Sequence, residues 1–423
     1  MSLRVGLITY NWPPRNAIGT FRAYSWAKYW AEENGVEVFV FTPTKQAFDA
    51  PLDLHLPISS RITVFQIEST KPPTGSVLGK SKKLMKLGRA LNSWLKIRLG
   101  LVLDPRDYWI APACQKVDCV AANLDVIVST HGPRSTHLIA SHVRARHPHL
   151  KWIADYRDLW SQNHLASYGP TAQKREAAIE RRAMKEADAF ITVSDELAAQ
   201  LETLVCSHVH VIPNGFDPED YLGYPDAPTH EDPPRLVYTG MLYRQHRDPS
   251  PLFQALSELH QEGAISPGDI HVDFYGPPDS WLDELINRFG VHPFVNLMGR
   301  VQRPDALKAQ SRASALLLIE SAAPEARGVL TGKLFEYLAM GKPILSLGSP
   351  PGSAIGRVLS STATGLIAEN DVQKVKSFLL SMMKREPLKW HSPRKDVISQ
   401  FSRPSQAKQV LQIMQNLMAK SGD

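Results

Sequence analysis

Short apolar runs alternating with longer amphipathic stretches, first in one series and then in another, constrain this chain more than any other feature. The first series runs through Val5 to Tyr10, Val36 to Phe41, Ile62 to Ile67, Asp125 to Ser129, Trp152 to Asp155 and Phe190 to Val193. The second runs through Leu236 to Tyr238, His271 to Tyr275, Val295 to Met298, Ala315 to Ile319, Pro343 to Leu347 and Gly365 to Ala368. Runs this short and this apolar suit strands buried on both faces, and the segments between them suit helices, so each series predicts a parallel α/β sheet. A Pro-, Asp- and Gly-rich stretch from Pro213 to Pro234 separates the two. The 423 residues also exceed what one hydrophobic core accommodates. Two doubly wound domains are therefore expected, at 1–213 and 235–400, joined by a linker at 214–234. Residues 401–423 should close the chain as a helix packed on the body, since Val410, Ile413, Met414 and Leu417 share one helical face. The stretch from Ala172 to Ala187, rich in Glu, Arg, Lys and Ala, reads as an exposed crossover helix packed on one side of the following strand, Phe190 to Val193.

Composition narrows the classes. Hydrophobic residues make up 43% of the chain, with no uninterrupted apolar stretch of the roughly 18 residues a membrane span requires. The N-terminus runs straight into a strand-like segment without the regions of a signal peptide, so a cytoplasmic location is expected. Cys114, Cys119 and Cys206 form neither a disulfide framework nor a metal-type spacing. The pairs His147/His149 and His208/His210 lack acidic or thiol ligands at zinc spacing, so no metal site is expected. A net charge of +6 suits nucleic acid, an anionic membrane or a phosphorylated substrate without choosing among them.

In open parallel sheets ligands bind beyond the carboxyl ends of the strands, so the loops after the apolar runs carry the information. After the first strand, Gly19 and Thr20 lead into a helix N-terminus, where unpaired amides can meet a phosphate. The loop lacks the G-x-G-x-x-G of a dinucleotide fold. After the first strand of the second series, Gly240 is followed by Arg244 and Arg247, which form either a diphosphate clamp or two solvated surface arginines. The stretch from Glu325 to Leu345 reads as loop, helix and strand: Thr331 and Gly332 open the helix and Gly341 ends it. Glu336, just inside, suits two adjacent ribose hydroxyls. The Gly328 to Lys333 spacing is one residue short of a P-loop and has Leu334 where a magnesium-binding hydroxyl belongs, so a nucleotide triphosphatase is not expected.

Several segments together resemble the retaining glycosyltransferases of family 4, which have the GT-B fold: two Rossmann-like doubly wound domains facing across a cleft. Val211 to Asp217 resembles that family's interdomain turn, and Gly332 to Ala339 with Gly341 to Pro343 its donor-binding helix. His131 to His137 and Asp155 to Trp160 resemble loops of its bacterial surface-polysaccharide branch. The resemblance implies an acceptor-binding first domain and a nucleotide-sugar-binding second domain. Glu336 would hold the donor ribose, Arg247 would replace the family's phosphate-binding lysine, and amides around Leu330, Thr331 and Gly332 would face the diphosphate beside Lys333 and Gly240. Gly19 would approach the same phosphates. Two departures follow from the residues present. Gly328 stands where the family has a sugar-contacting glutamate, leaving Glu325 as the nearby substitute, and Met241 stands where it has an arginine, leaving Arg244 as the replacement. Arg157 takes the place of a histidine near the reacting centre. The implied reaction retains anomeric configuration without a metal or other cofactor, the nucleotide-diphosphate sugar being a co-substrate.

On the acceptor side, His131 and Ser135 fall in the family-like loop, and Asp155 and Asp158 are candidates to position the acceptor hydroxyl. Asp158 is equally suited to cap a helix or pair with Arg157. Between Lys80 and Arg98 there are seven basic residues and no acidic one, with Leu84, Leu87, Leu91 and Trp94 on one helical face. Two readings stand: a helix drawn to an anionic membrane, implying a lipid-linked acceptor, or a helix docked on its own domain. No interleaved aromatic pattern accompanies the lysines, so nucleic acid is not an expected partner. The competing functions are a sugar-nucleotide epimerase on the same architecture and a catalytically silent scaffold of a polysaccharide-assembly complex.

Overall fold

The computed structural model describes residues 2–70, 102, 104–163, 169–224, 233–244 and 246–419. The basic stretch 80–98 lies outside them. The chain divides into two compact units, Met1–Pro213 with Arg403–Asp423, and Asn214–Ser402.

The first unit runs β1 (Leu3–Thr9), α1 (Ile18–Glu32), β2 (Val36–Pro43), β3 (Ile62–Ile67), α2 (Ile110–Asp118), β4 (Val126–Thr130), α3 (Ser135–Arg146), β5 (Lys151–Tyr156), α4 (Pro170–Met184), β6 (Ala189–Thr192), α5 (Asp195–Val205) and β7 (Val209–Val211). Its parallel sheet has the order β3-β2-β1-β4-β5-β6-β7. Val5 lies opposite Val38 on one side and Val126 on the other, so β-branched side chains line the middle of the sheet. The apolar runs become these strands; β7 was not among them because its three residues, centred on His210, are too short to show a pattern.

Helix α4 is exposed along much of its length and packs on one side, as expected, but two carboxylates lie on the packed side. Glu176 and Glu180 are each 1% exposed. Glu176 accepts from Trp160 Nε1 at 2.7 Å and pairs with Arg134, and Glu180 accepts from the Ser161 amide at 2.9 Å. Sequence composition cannot distinguish a solvated glutamate from one buried with its donors.

The second unit runs β8 (Arg235–Thr239), α6 (Ser250–Gln261), β9 (His271–Tyr275), α7 (Ser280–Phe289), β10 (Val295–Gly299), α8 (Arg303–Arg312), β11 (Ala315–Ile319), α9 (Gly332–Met340), β12 (Ile344–Leu347), α10 (Ala354–Thr362), β13 (Gly365–Glu369), α11 (Val372–Met383) and α12 (Lys395–Ile398). Its parallel sheet has the order β10-β9-β8-β11-β12-β13. Part of the expected linker packs within this unit: Phe216 and Tyr221 join the core beneath α9, and Asp220 pairs with Arg303 at 3.0 Å.

The last helix, α13 (Arg403–Ala419), belongs to the first unit. It buries Val410, Leu411 and Met414 against α1, and Trp30 Nε1 donates to the Ala407 carbonyl at 2.9 Å. Among the described residues no helix is long and apolar enough to cross a membrane.

Strand order reverses between β1 and β4 in the first sheet and between β8 and β11 in the second. The chain leaves such neighbouring strands in opposite directions, which opens a crevice at their carboxyl ends.

Candidate functional site

In the second unit the residues leaving β8 and β11 meet at that crevice. Glu320, the first residue after β11, is 7% exposed. One carboxylate oxygen accepts from Arg247 Nε at 3.1 Å and lies 3.0 Å from Nη2 as an ion pair, and the other accepts from the Thr331 hydroxyl at 2.9 Å. Arg247 also donates to the Met241 carbonyl at 3.1 Å and lies over the Tyr243 ring. Arg244 is exposed, and among the described residues it makes no hydrogen bond or ion pair with this cluster. The two arginines therefore do not form a matched clamp. Arg247 is held by a charge-assisted hydrogen bond from Nε to Glu320 and by a second from Nη1 to the Met241 carbonyl, which together fix its planar guanidinium.

Thr331 occupies the N-cap position of α9, yet its side chain makes no capping bond because its hydroxyl is spent on Glu320. Among the described residues the first amides of α9 thus receive no N-cap side chain, and a helix N-terminus in that state favours an anion. Leu330 is buried just before it. Lys333, in the first turn, donates to Tyr238 Oη at 2.7 Å, and Gly240 passes beside its amine. Gly240 has φ +124, a conformation that glycine supplies without strain. Burial pulls the Lys333 amine down to about 7, against the opposing pull of Glu320.

Glu336 projects from the same helix. Its oxygens lie 3.5 Å from Arg303 Nη2 and 3.3 Å from Gln310 Nε2, and Gln310 continues to the Thr239 hydroxyl at 2.9 Å. Its side chain remains 31% exposed, so it is oriented from behind and open in front. Glu325 lies in the turn Pro324–Ala326 and is exposed, outside the Glu320 and Glu336 networks.

In the first unit the carboxyl ends of β1, β4 and β5 gather a second group. Arg157 is joined to Asp158 through Nε at 3.0 Å and Nη2 at 2.8 Å, the pairing that the sequence offered for Asp158. The guanidinium rests against Gly19, in the first turn of α1, and Gly132; a Cβ on Gly19 would collide with Arg157 Nη1. Asn11 Nδ2 donates to the Gly132 carbonyl at 2.7 Å and completes the cradle.

Two acceptor-side expectations are corrected. Asp155 is fully buried, and Arg22 donates to both of its oxygens at 3.1 and 2.8 Å. It neutralises Arg22 and does not face an acceptor. Ser135 is also fully buried and accepts from Trp109 Nε1 at 2.9 Å, because a buried indole N–H needs a partner. His131 lies within an aromatic stack with Tyr156, His137 and Trp160, and its buried Nδ1 has no hydrogen-bond partner among the described residues. Burial, the largest cause, takes its pKa down to about 4, so it is neutral at physiological pH.

Glu320, Tyr238, Gln310, Arg303 and Asn11 were missed in the sequence. Glu320 and Asn11 carried a usable signal, since each lies within two residues of a strand end. The others act through tertiary contacts that spacing does not show. Among the described residues no three His, Cys, Asp or Glu side chains form a group able to hold a metal ion.

Residues 20–215 match the glycosyl transferase 4-like domain, and residues 233–385 match the glycosyl transferases group 1 domain. Together with the two Rossmann-like sheets, these matches place the chain among the GT-B glycosyltransferases of the family-4-like kind. Solved structures share the fold at low identity. Sucrose-phosphate synthase from Thermosynechococcus elongatus is 15% identical with a TM-score of 0.62, covering 99% of this chain and 100% of its own. The Anabaena protein HepE, in complex with UDP-glucose, is 14% identical with a TM-score of 0.61, covering 98% of this chain and 100% of its own. The lipopolysaccharide outer core galactosyltransferase WaaB is 15% identical with a TM-score of 0.57, covering 96% and 97%. No curated protein matches the sequence.

Proposed function

We propose that the protein is a retaining glycosyltransferase that moves a sugar from a nucleotide-diphosphate sugar to a glycan or lipid-linked acceptor in bacterial polysaccharide or glycoconjugate assembly. Its place would be the cytoplasm, at the inner face of the cell membrane. The carrying observation is the set of groups around α9: a fixed guanidinium, Arg247; an amine, Lys333; helix amides without a side-chain cap; and an open carboxylate, Glu336. Cations and amides suit a diphosphate, and a carboxylate oriented from behind suits a ribose diol. That HepE was solved with UDP-glucose supports a nucleotide-sugar donor.

In the proposed reaction the bond from the sugar's anomeric carbon to the diphosphate oxygen breaks, and one to the acceptor oxygen forms on the same face. The acceptor proton leaves on the departing diphosphate. Arg247, Lys333 and the α9 amides stabilise the charge that develops there, without a metal ion.

The test is a thermal-shift panel of UDP-, GDP- and ADP-sugars on wild type and Glu336→Ala, followed by NMR assignment of the product anomer. A stabilising shift with one donor, lost in the variant, and a product of retained configuration are expected. Epimerised nucleotide sugar as product, or no shift with any donor, would overturn the reading.

A further inference from the structure

We infer that Lys333 couples donor binding to proton uptake: the diphosphate enters against a neutral amine, which takes a proton from solvent and becomes its counter-ion. The inference rests on the donor-site reading and adds the protonation state in which that site operates.

The geometry sets a cation-to-be among committed partners. Lys333 Nζ lies 2.7 Å from Tyr238 Oη and 4.1 Å from the Tyr238 ring centroid, and Tyr238 is 1% exposed. Tyr238 donates its own proton to the Met241 carbonyl at 2.8 Å, so its oxygen accepts from the lysine. A Cβ on Gly240 would stand 3.4 Å from Nζ, so the amine ends where the backbone leaves β8. The groups facing it are Tyr238 from β8, Arg247 from the loop that follows, Glu320 from the end of β11 and Glu336 from α9 itself, with Tyr337 of α9 acting on Tyr238.

Neither carboxylate is available to the amine. Glu320 is shared between Arg247 and Thr331, and Glu336 between Arg303 and Gln310. Among the described residues Lys333 thus has no carboxylate in hydrogen-bond contact. Burial lowers its affinity for a proton, Glu320 and Glu336 act in the opposite direction from a distance, and Arg247 lowers it further; the balance falls at about 7. Burial holds Tyr238 and Tyr337 above their ordinary range, so both stay neutral and neither supplies a proton.

A diphosphate at the N-terminus of α9 would add negative charges beside this amine and favour its charged form. The bound state then holds a proton that the free state lacks whenever pH exceeds about 7. Binding takes up a proton in that range, and affinity falls as pH rises. An arginine at this position would stay charged in both states and remove the linkage.

The experiment is titration calorimetry of the full chain with UDP at pH 8.0 in two buffers of different ionisation enthalpy, on wild type and Lys333→Arg, with GDP and ADP as further probes. Wild type is expected to take up about 0.9 proton per nucleotide bound, and to lose about tenfold in affinity between pH 8 and pH 9. Lys333→Arg is expected to take up none. Binding without proton uptake by wild type would overturn the inference and leave the donor site standing, even if the variant fails to fold. Equal uptake by Lys333→Arg would assign the proton to another group and overturn it too. No binding of any of the three nucleotides would overturn the donor-site reading, and this inference with it.

Discussion

Arg247 and Glu320, 73 positions apart in sequence, form an ion pair with nitrogen–oxygen distances of 3.1 and 3.0 Å at the point where β8 and β11 release their loops. The same carboxylate holds Thr331 at the start of α9. Glu320→Gln retains the size of the side chain and removes the charge, so Arg247 loses its fixed orientation. The expected result is a fall in kcat/KM of about tenfold or more, since a catalytic cation depends on being preorganised. Steady-state kinetics checks this, with Glu320→Asp expected to be intermediate. Unchanged kinetics in Glu320→Gln would show that Arg247 needs no anchor.

The pairing of Arg22 with Asp155 concerns stability. Arg22 also donates to the carbonyls of Ile212 at 3.0 Å and Pro213 at 2.9 Å, tying α1 to the segment where the chain first leaves the first unit. Removing one partner leaves a buried charge uncompensated. Asp155→Ala should therefore destabilise the first unit by about 3–5 kcal/mol. Denaturant titration followed by tryptophan fluorescence reads the change, and a loss below 1 kcal/mol would contradict it.

Gly19→Ala separates function from folding. The position accepts helical backbone, where alanine is favoured over glycine by about 1 kcal/mol, so the thermal midpoint should not fall. The added Cβ collides with Arg157 Nη1 and comes within 2.7 Å of Asn11 Nδ2. Arg157 must leave its cradle, and activity should drop as far as in Arg157→Ala. Full activity in Gly19→Ala would show that this seat of Arg157 does not matter to transfer.

Removing α13 tests how far the first unit depends on the chain's return. Truncation after Ser402 exposes the α1 face that carries Trp30 and strands its indole N–H, now bonded to Ala407. The truncated protein should aggregate or lose several kcal/mol in the first unit. Trp30→Ala within the full chain should cost about 3–5 kcal/mol, the range for emptying a buried aromatic site. Size-exclusion chromatography and denaturation of both forms provide the check.

The apolar runs, the glycines at turns and the break near Pro213 determined the element order, the parallel sheets and the point of division, because strand burial and turn chemistry are written locally. Thr331, Gly332 and Gly341 marked the ends of α9 for the same reason, and the resemblance of the α9 sequence to a donor-binding helix pointed to Glu336. Only the tertiary structure decided which charged residues are open and which are spent. Asp155 and Ser135 resemble site residues in sequence but are consumed by Arg22 and Trp109, while Glu320, without a motif of its own, organises Arg247 and Thr331. Burial and partnership belong to residues far apart in the chain, and the energy of a charge depends on both, so local sequence can nominate a charged residue but cannot assign its role.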